Sequence, residues 1–253
     1  GLAGATELKV PEPTLGRLLV ERRGVLAAGV AGVCGAAIWA NSAGQSYATG
    51  LGETRNISFS DGSHVLLDAC SMIRVTYGRE LRRLDLVRGR LGLFPVQDPG
   101  RPFVVLGSGR RVLAIGSLDV SCLANTFTVT AVDGLAFVQS PGQATVRLDR
   151  GERLRSNPDG RPAKDRPSLA VATAWRTGQL IFSDDSLDAA VLEVNRYNRK
   201  PVVLEDAALG ELRVSGSYNA RQGEDFARSV ATLFNLSLVE QPDKMILRRT
   251  IAS

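Results

Sequence analysis

The residue types that most often carry out chemistry are few and scattered in this sequence. His64 is the single histidine among 253 residues, so a serine–histidine–aspartate site would have to use it. It lies in SDGSHVLLD, where a turn passes into a strand, and a surface position at the start of that strand accounts for it. The glycine-containing loops lack the lysine and the following helix of a phosphate-binding loop. The sequence therefore predicts a protein that is not an enzyme and that holds no cofactor.

Three carboxylates cluster in FSDDSLDAAVLEVNRY, at Asp184, Asp185 and Asp188. Metal binding is one interpretation of such a cluster. The other is that they precede a helix, where acidic side chains accept hydrogen bonds from free N–H groups and complement the helix dipole. The second interpretation is favoured, and no metal site is predicted.

The three cysteines do not form a metal-binding pattern either. There is no CxxC pair, and Cys34 lies inside an apolar run. Cys70 and Cys122 would face an oxidising compartment if the chain is exported, so they are a candidate disulfide pair. Spacing alone does not place their Cα atoms within bridging distance.

The basic residues exceed the acidic ones, but they are spread along the chain. The formal net charge is +5, and the richest basic stretch is RELRRLDLVRGR, from Arg79 to Arg90. Alternation there predicts a strand with Leu84 and Leu86 facing inward and a solvated outer face. No aromatic residues are interleaved to stack on bases, so no direct nucleic-acid partner is expected.

The run from Gly24 to Ala40 carries no charged or strongly polar residue. Such a run is a buried helix, a cleaved signal or a membrane anchor. A buried helix would show a polar face, and this run has none. A cleaved signal is suggested by Arg22-Arg23-Gly24, which resembles a twin-arginine export signal, but these residues follow a long leader that contains two prolines. We favour the anchor, a transmembrane helix over residues 24–44.

Arginines precede this run, and no charge follows it until Glu53. The positive-inside rule then places the N-terminus in the cytoplasm and the rest of the chain in the periplasm, as a single-pass inner-membrane protein.

Beyond the anchor the hydrophobic pattern changes once. Residues 45–154 show short alternating runs separated by turn signals, which predicts an all-β module, either two sheets or solenoid-like. A proline-rich, charged stretch over 155–170 predicts a linker. Residues 171–253 predict a small α+β domain in the order β-α-β-β-α-β-β, with two helices against one sheet.

Several motifs in a fixed order now carry a resemblance. The stretches YATGLGETRNISFSDGSHVLLDACSMIRV, LDLVRGRLGLFPV, RPFVV and VDGLAFV resemble the periplasmic module of FecR family membrane anti-sigma factors. AWRTGQLIFSDDSLDAAVLEVNRYNRKPVVLED, followed by LRVSGSYNA, resembles the C-terminal domain of that family, which is similar to the short N-terminal domain of secretins and TonB-dependent receptors. Together they cover nearly all of residues 47–249.

The resemblance implies a transmembrane sensor. A ligand-loaded outer-membrane TonB-dependent receptor, as in iron uptake, would present its N-terminal signalling domain to the periplasmic region. Regulated proteolysis, completed by a site-2-type intramembrane protease, would release the cytoplasmic part and its extracytoplasmic-function (ECF) sigma factor. A different class stays open: an exported or anchored envelope module that binds glycan or protein and has no sigma factor.

The chain departs from the family pattern at three places. The helical cytoplasmic domain that binds the sigma factor is not recognisable in residues 1–23, which are a cytoplasmic tail or a remnant of that domain. Either the chain, which starts with glycine, is a fragment with residues missing upstream, or the protein senses without sequestering a sigma factor. Asp68 stands where the family usually shows asparagine, and Gly116-Ser117 where it shows Gly-Thr. These two changes are expected to affect local turns more than function.

Two further groups of residues are candidates within this scheme. Gly29, Gly32 and Gly35 lower helix propensity in the anchor and mark a cleavage region, although small residues equally suit helix–helix packing. In LRVSGSYN, a glycine inside an alternating strand predicts a bulge or a close backbone approach. The candidate partner-binding residues there are Arg213, Ser215, Gly216 and Ser217, with packing of Gly216 against the first module as the alternative.

Overall fold

The computed structural model describes residues 44–156 and 162–250. The predicted tail, the anchor at 24–44 but for its last residue, and the three anchor glycines lie outside these ranges. In the described part of the chain, no helix is long and apolar enough to cross a membrane.

Thirteen strands make up the first part of the described chain. They are β1 (Gln45–Ala48), β2 (Arg55–Ser58), β3 (His64–Leu67), β4 (Met72–Tyr77), β5 (Arg82–Phe94), β6 (Phe103–Gly107), β7 (Arg110–Ile115), β8 (Leu118–Leu123), β9 (Thr126–Ala131), β10 (Leu135–Gln139), β11 (Val146–Leu148), β12 (Arg153–Ser156) and β13 (Pro162–Asp165).

These strands form one curled sheet that turns on β5, the longest strand. The first half of β5 pairs with β4 and β6, and its second half pairs with β3 and β8. A register shift opposite Met72 and Ile73 separates the two halves. Gly89 begins the second half with φ +88°, a conformation that a residue with a Cβ rarely adopts. β5 therefore pairs with strands on both sides of the curl. The sequence predicted either two sheets or a solenoid, and the structure has one curled sheet instead.

The core of this module follows from strand alternation. Inward-facing side chains of both halves meet in one cluster that includes Val65, Ile73, Leu84, Leu91 and Phe127, each at most 1 % exposed. Burying apolar area at about 25 cal/mol per Å² is the main source of its stability. The alternating runs predicted nine of the strands, and the described residues of this module contain no helix.

Four strands, β1, β8, β12 and β13, were not recognised in the sequence. β8 reads LDVSCL, in which Asp119 and Ser121 alternate with apolar residues as in a half-buried strand, so its pattern could have revealed it. β13 lies within the stretch predicted as a linker, and its four exposed residues pair with β12. Backbone pairing rather than side-chain burial holds β13, so hydrophobic patterning could not reveal it.

The second part contains three helices, two 3₁₀ helices and five strands. They are α1 (Leu169–Thr173), a 3₁₀ helix (Ala174–Thr177), β14 (Gln179–Ser186), α2 (Leu187–Asn195), β15 (Val202–Leu204), a second 3₁₀ helix (Ala207–Glu211), β16 (Arg213–Asn219), α3 (Gly223–Leu233), β17 (Leu236–Glu240) and β18 (Met245–Arg249). From β14 onward the order is the predicted β-α-β-β-α-β-β.

The single sheet expected for this module was wrong. β14 pairs with β16 only, and β15, β18 and β17 form a second sheet in which β15 and β18 run parallel. Both α2 and α3 contact strands of both sheets. The helices thus fill the space between the sheets, because their apolar residues, such as Val191 and Phe226, are buried in one core with both.

A methyl group at Gly89 should test whether β5 must bend at that point. A Cβ there would lie 2.6 Å from the Cα of Ser71, whose hydroxyl accepts the N–H of Arg90 at 3.0 Å. Steric strain and the positive φ should together lower the free energy of unfolding of Gly89→Ala by about 3 kcal/mol or more in chemical denaturation. Gly109→Ala is the matched control, since φ is +72° but no atom lies within 4 Å; it should lose about 1 kcal/mol. Equal losses would contradict the role of the Ser71 approach.

Candidate functional site

The strand β16 is an edge strand, as the candidate partner-binding segment requires. Among the described residues its only strand partner is β14. Val214 is buried and Tyr218 half-buried, whereas the side chains of Arg213, Ser215 and Ser217 are exposed. The structure therefore brings three of the four candidate residues together on the exposed face of an edge strand.

The backbone hydrogen bonds show which groups of β16 are unpaired. At one end the N–H of Ala220 donates to the carbonyl of Gly178 at 2.9 Å, and at the other the carbonyl of Leu212 accepts the N–H of Leu187 at 2.7 Å. Even-numbered residues thus point their backbone groups toward β14. Strand alternation turns the N–H groups of Ser215 and Ser217 to the open side. These are the donors that an added strand would use.

Gly216 has a role different from the one expected. The bulge is on β14, where two residues, Ser183 and Asp184, stand opposite Ser215. Asp184 has φ +57° and donates its N–H to the Ser215 hydroxyl at 2.9 Å. Gly216 instead makes room for the Tyr218 ring, which a Cβ would meet at 3.1 Å. Its close contact is with its own module rather than with the first module.

An open groove of about 990 Å³ lies at the Arg213 end of this ladder. Its walls come from the start of α2, from β15 and from the second 3₁₀ helix. The lining residues are Ser186, Asp188, Val191, Leu204, Glu205, Ala207, Gly210, Glu211 and Arg213. Because Ser186 and Arg213 are the last register pair of β14 and β16, the groove is continuous with the strand edge.

A buried ion-pair network joins this domain to the curled sheet, and its centre is Asp68. This carboxylate is fully buried. It accepts hydrogen bonds from Arg90 Nε at 2.8 Å and from the Tyr197 hydroxyl at 2.8 Å, and Arg196 lies 3.0 Å away. Asp68 and Arg90 belong to the first module, whereas Arg196 and Tyr197 follow α2. The departure at Asp68 was expected to affect a local turn more than function; its carboxylate instead contacts residues of both modules.

Glu193 on α2 completes the charge balance of this network. Its carboxylate accepts hydrogen bonds from Arg90 at 2.6 Å and from Arg196 at 3.0 Å. The carboxylates of Asp68 and Glu193 thus face the guanidinium groups of these two arginines. Burial opposes ionisation of Glu193, but the two arginines outweigh it and lower its pKa below the usual value. For Tyr197, burial raises the pKa of the hydroxyl, which keeps it protonated as a donor to Asp68.

A second buried carboxylate, Asp119 of β8, forms another contact between the modules. It accepts the indole N–H of Trp175 at 3.0 Å and pairs with Arg176 at 2.6 Å. The Arg90 guanidinium also lies 4.6 Å from the centre of the Trp175 ring, so Trp175 contacts both clusters. Burial raises the pKa of Asp119, and Arg176 opposes this shift.

These contacts explain motifs that the sequence showed but did not interpret. In AWRxGxLxF, Trp175 and Arg176 bind Asp119, and in NRY, Arg196 and Tyr197 bind Asp68. Arg90 and Asp119 were missed as functional candidates, because a charged residue in an alternating strand has the same pattern whether it is paired in the interior or solvated.

The basic stretch before Arg90 is likewise less solvated than predicted. Arg82 is 2 % exposed, donates to Asp61 at 2.8 Å, and lies over the Phe103 ring. The guanidinium of Arg82 is therefore paired inside the module, and Arg82, like Arg90, is not a free cation.

The histidine and the two described cysteines have structural neighbours. His64 starts β3 and stacks on Phe94. Cys70 and Cys122 are free thiols with different neighbours, the first donating to the Arg196 carbonyl and the second contacting Ser108, so the disulfide is absent from the described structure.

The acidic cluster divides between a helix and a strand. Asp188 lies in the first turn of α2, as predicted, while the cap is Ser186, which accepts the N–H of Ala189. Asp184 and Asp185 belong to the bulged strand β14 instead of the helix start. Within residues 44–156 and 162–250, no cluster of histidine, cysteine or carboxylate ligands could hold a metal ion.

Replacing Asp68 should show how much the joint between the modules depends on it. Asp68→Ala leaves Glu193 as the remaining carboxylate partner of Arg90 and Arg196, and removing one partner of a buried ion pair typically lowers the free energy of unfolding by about 3–5 kcal/mol. Chemical denaturation measures this loss. The control is Asp85→Ala, which removes a part-exposed carboxylate paired with Arg83 and should lose less than about 1 kcal/mol. Similar small losses in both variants would contradict a central role for Asp68.

Comparisons with known proteins agree with this geometry. The family model described as FecR protein matches residues 45–136. No curated protein matches the chain. Two crystal structures of a candidate anti-sigma factor from Parabacteroides distasonis ATCC 8503, at 1.65 and 2.50 Å resolution, share the fold. Their TM-scores are 0.74 and 0.73 at 20 % identity, covering 82 % of this chain and 100 % and 99 % of theirs. Residues 45–136 of this chain are therefore similar to the FecR domain.

Proposed function

We propose that this protein is an anti-sigma factor that senses cell-surface signals. The FecR domain and the fold shared with a candidate anti-sigma factor support this role. In this proposal the C-terminal domain docks the N-terminal signalling domain of an outer-membrane TonB-dependent receptor. Ligand occupancy of the receptor, for example during iron uptake, is then relayed to a cytoplasmic ECF sigma factor. The chain transmits this signal by binding and by being cleaved, and needs no catalysis of its own.

The observation that carries the docking step is the unpaired edge of β16. An edge strand with two free N–H groups on its open side can accept a partner strand through backbone bonds alone. Strand addition needs no deep pocket, which fits the open character of the surface. The exposed serines at 215 and 217 leave room for a neighbouring strand.

The proposed arrangement in the cell follows from the sequence. The anchor at 24–44 crosses the inner membrane with residues 1–23 in the cytoplasm and the described modules in the periplasm. A site-2-type protease cleaves the anchor near Gly29, Gly32 and Gly35, where helix propensity is low.

A reporter that works only outside the cytoplasm tests this topology. Fused after Ser253, it should be active, and the protein should fractionate with the inner membrane. A shortened product free in the periplasm would contradict the anchor and favour a cleaved signal.

Docking on β16 is tested by removing one free backbone donor. Ser215→Pro removes an N–H on the open side, and its ring also obstructs a neighbouring strand. The loss of one backbone hydrogen bond, together with this obstruction, should weaken binding about tenfold. The measurement is calorimetric titration of the purified chain with isolated signalling domains of TonB-dependent receptors from the same organism.

Ser215→Ala is the matched control, because it keeps the N–H and loses only the hydroxyl bond to Asp184. Its affinity should stay within about twofold of the unsubstituted chain. Circular dichroism checks the fold, and Ser217→Pro replaces Ser215→Pro if the latter does not fold. Unchanged affinity in a folded proline variant would exclude docking on this edge.

A further inference from the structure

The groove beside β16 is lined by more negative than positive side chains. Asp188, Glu205 and Glu211 line it, and all three are exposed. None of them has an ion pair or a side-chain hydrogen bond among the described residues. Carboxylates close by in sequence do have partners: Asp206 pairs with Arg249, and Glu193 with Arg90 and Arg196.

Only one cation lines the same groove. Arg213 donates from Nη1 to the carbonyl of Asp184 at 3.3 Å, so its guanidinium has a backbone partner. Three carboxylates against one guanidinium leave two unbalanced negative charges on the lining. The chain as a whole carries +5. An acidic surface of this kind on a basic protein selects a cationic partner by electrostatic complementarity.

The position of the groove specifies where that cation must be. Ser186 and Arg213 end the β14–β16 ladder, so a strand added to the open edge of β16 ends beside the groove. Asp188 and the second 3₁₀ helix are in close contact, since a Cβ at Gly210 would lie 3.0 Å from the Asp188 Cβ. The start of α2 and the second 3₁₀ helix are therefore neighbours in the groove at the end of the docking edge.

We propose that the partner segment that pairs with β16 carries a lysine or arginine whose side chain enters this acidic groove. The inference rests on the proposed docking function and adds the chemistry of its partner. A bound metal ion fits the groove less well, because the described residues contain no group of ligands close enough to hold one. A long cationic side chain can satisfy separated carboxylates one at a time.

The test neutralises the groove without changing its shape. The triple variant Asp188→Asn, Glu205→Gln and Glu211→Gln is titrated with the signalling domain that binds the unsubstituted chain. Affinity should fall about tenfold at low salt, and the difference should shrink as salt rises, because exposed charges are screened. Glu80→Gln is the control; it removes one exposed carboxylate without an ion pair from the turn between β4 and β5, and affinity should not change.

Each result separates this inference from the function on which it rests. If Ser215→Pro weakens binding but the triple variant binds as tightly as the unsubstituted chain, β16 docks a partner and the acidic groove takes no part, which overturns the inference alone. If no signalling domain binds the unsubstituted chain, the proposed function fails and the inference fails with it. Because all three carboxylates are exposed, the variant should keep its fold, and a thermal melt verifies this.

Discussion

The contact on which the described structure depends is the one between a fully buried carboxylate and the two arginines that share it. Asp68 has no access to water, so its charge is tolerable only because Arg90, Arg196 and Tyr197 surround it with donors. Two of these donors follow α2 in the C-terminal domain. Separating the two modules would consequently leave several charged side chains without their ion-pair partners. Residues 41–253 form one compact unit.

The Asp68 ion pairs also explain how two modules with separate hydrophobic cores form one compact unit. The curled sheet and the C-terminal domain have their own apolar clusters, and Ala69 is the one residue of the first module in the second cluster. The joint is therefore mainly polar. Apolar contact would permit sliding, whereas the directional bonds of Arg196 to the carbonyl of Ala69 and to Asp68 define one relative position.

The sequence predicted what depends on local periodicity and missed what depends on pairing across the chain. Apolar–polar alternation predicted most of the strands, and the two helices predicted from helical spacing, α2 and α3, are confirmed. The same rules could not separate a solvated arginine from Arg90, because its partners Asp68 and Glu193 lie 22 and 103 residues away. The alternation of β16 predicted which of its side chains are exposed. Neither its unpaired edge nor the division of five strands into two sheets was predictable, because both depend on strand pairing such as the parallel pairing of β15 with β18.

The geometry of α2 connects the candidate docking edge with the joint between the modules. Its first turn carries Asp188 at the groove, and its last turns carry Glu193 and lead to Tyr197 at the buried charges. At about 1.5 Å per residue, nine residues span roughly 14 Å, so both places lie within one short rigid element. A partner docked at β16 would therefore sooner move both modules as one body than pull them apart, and in the proposed relay that body transmits the motion toward the membrane.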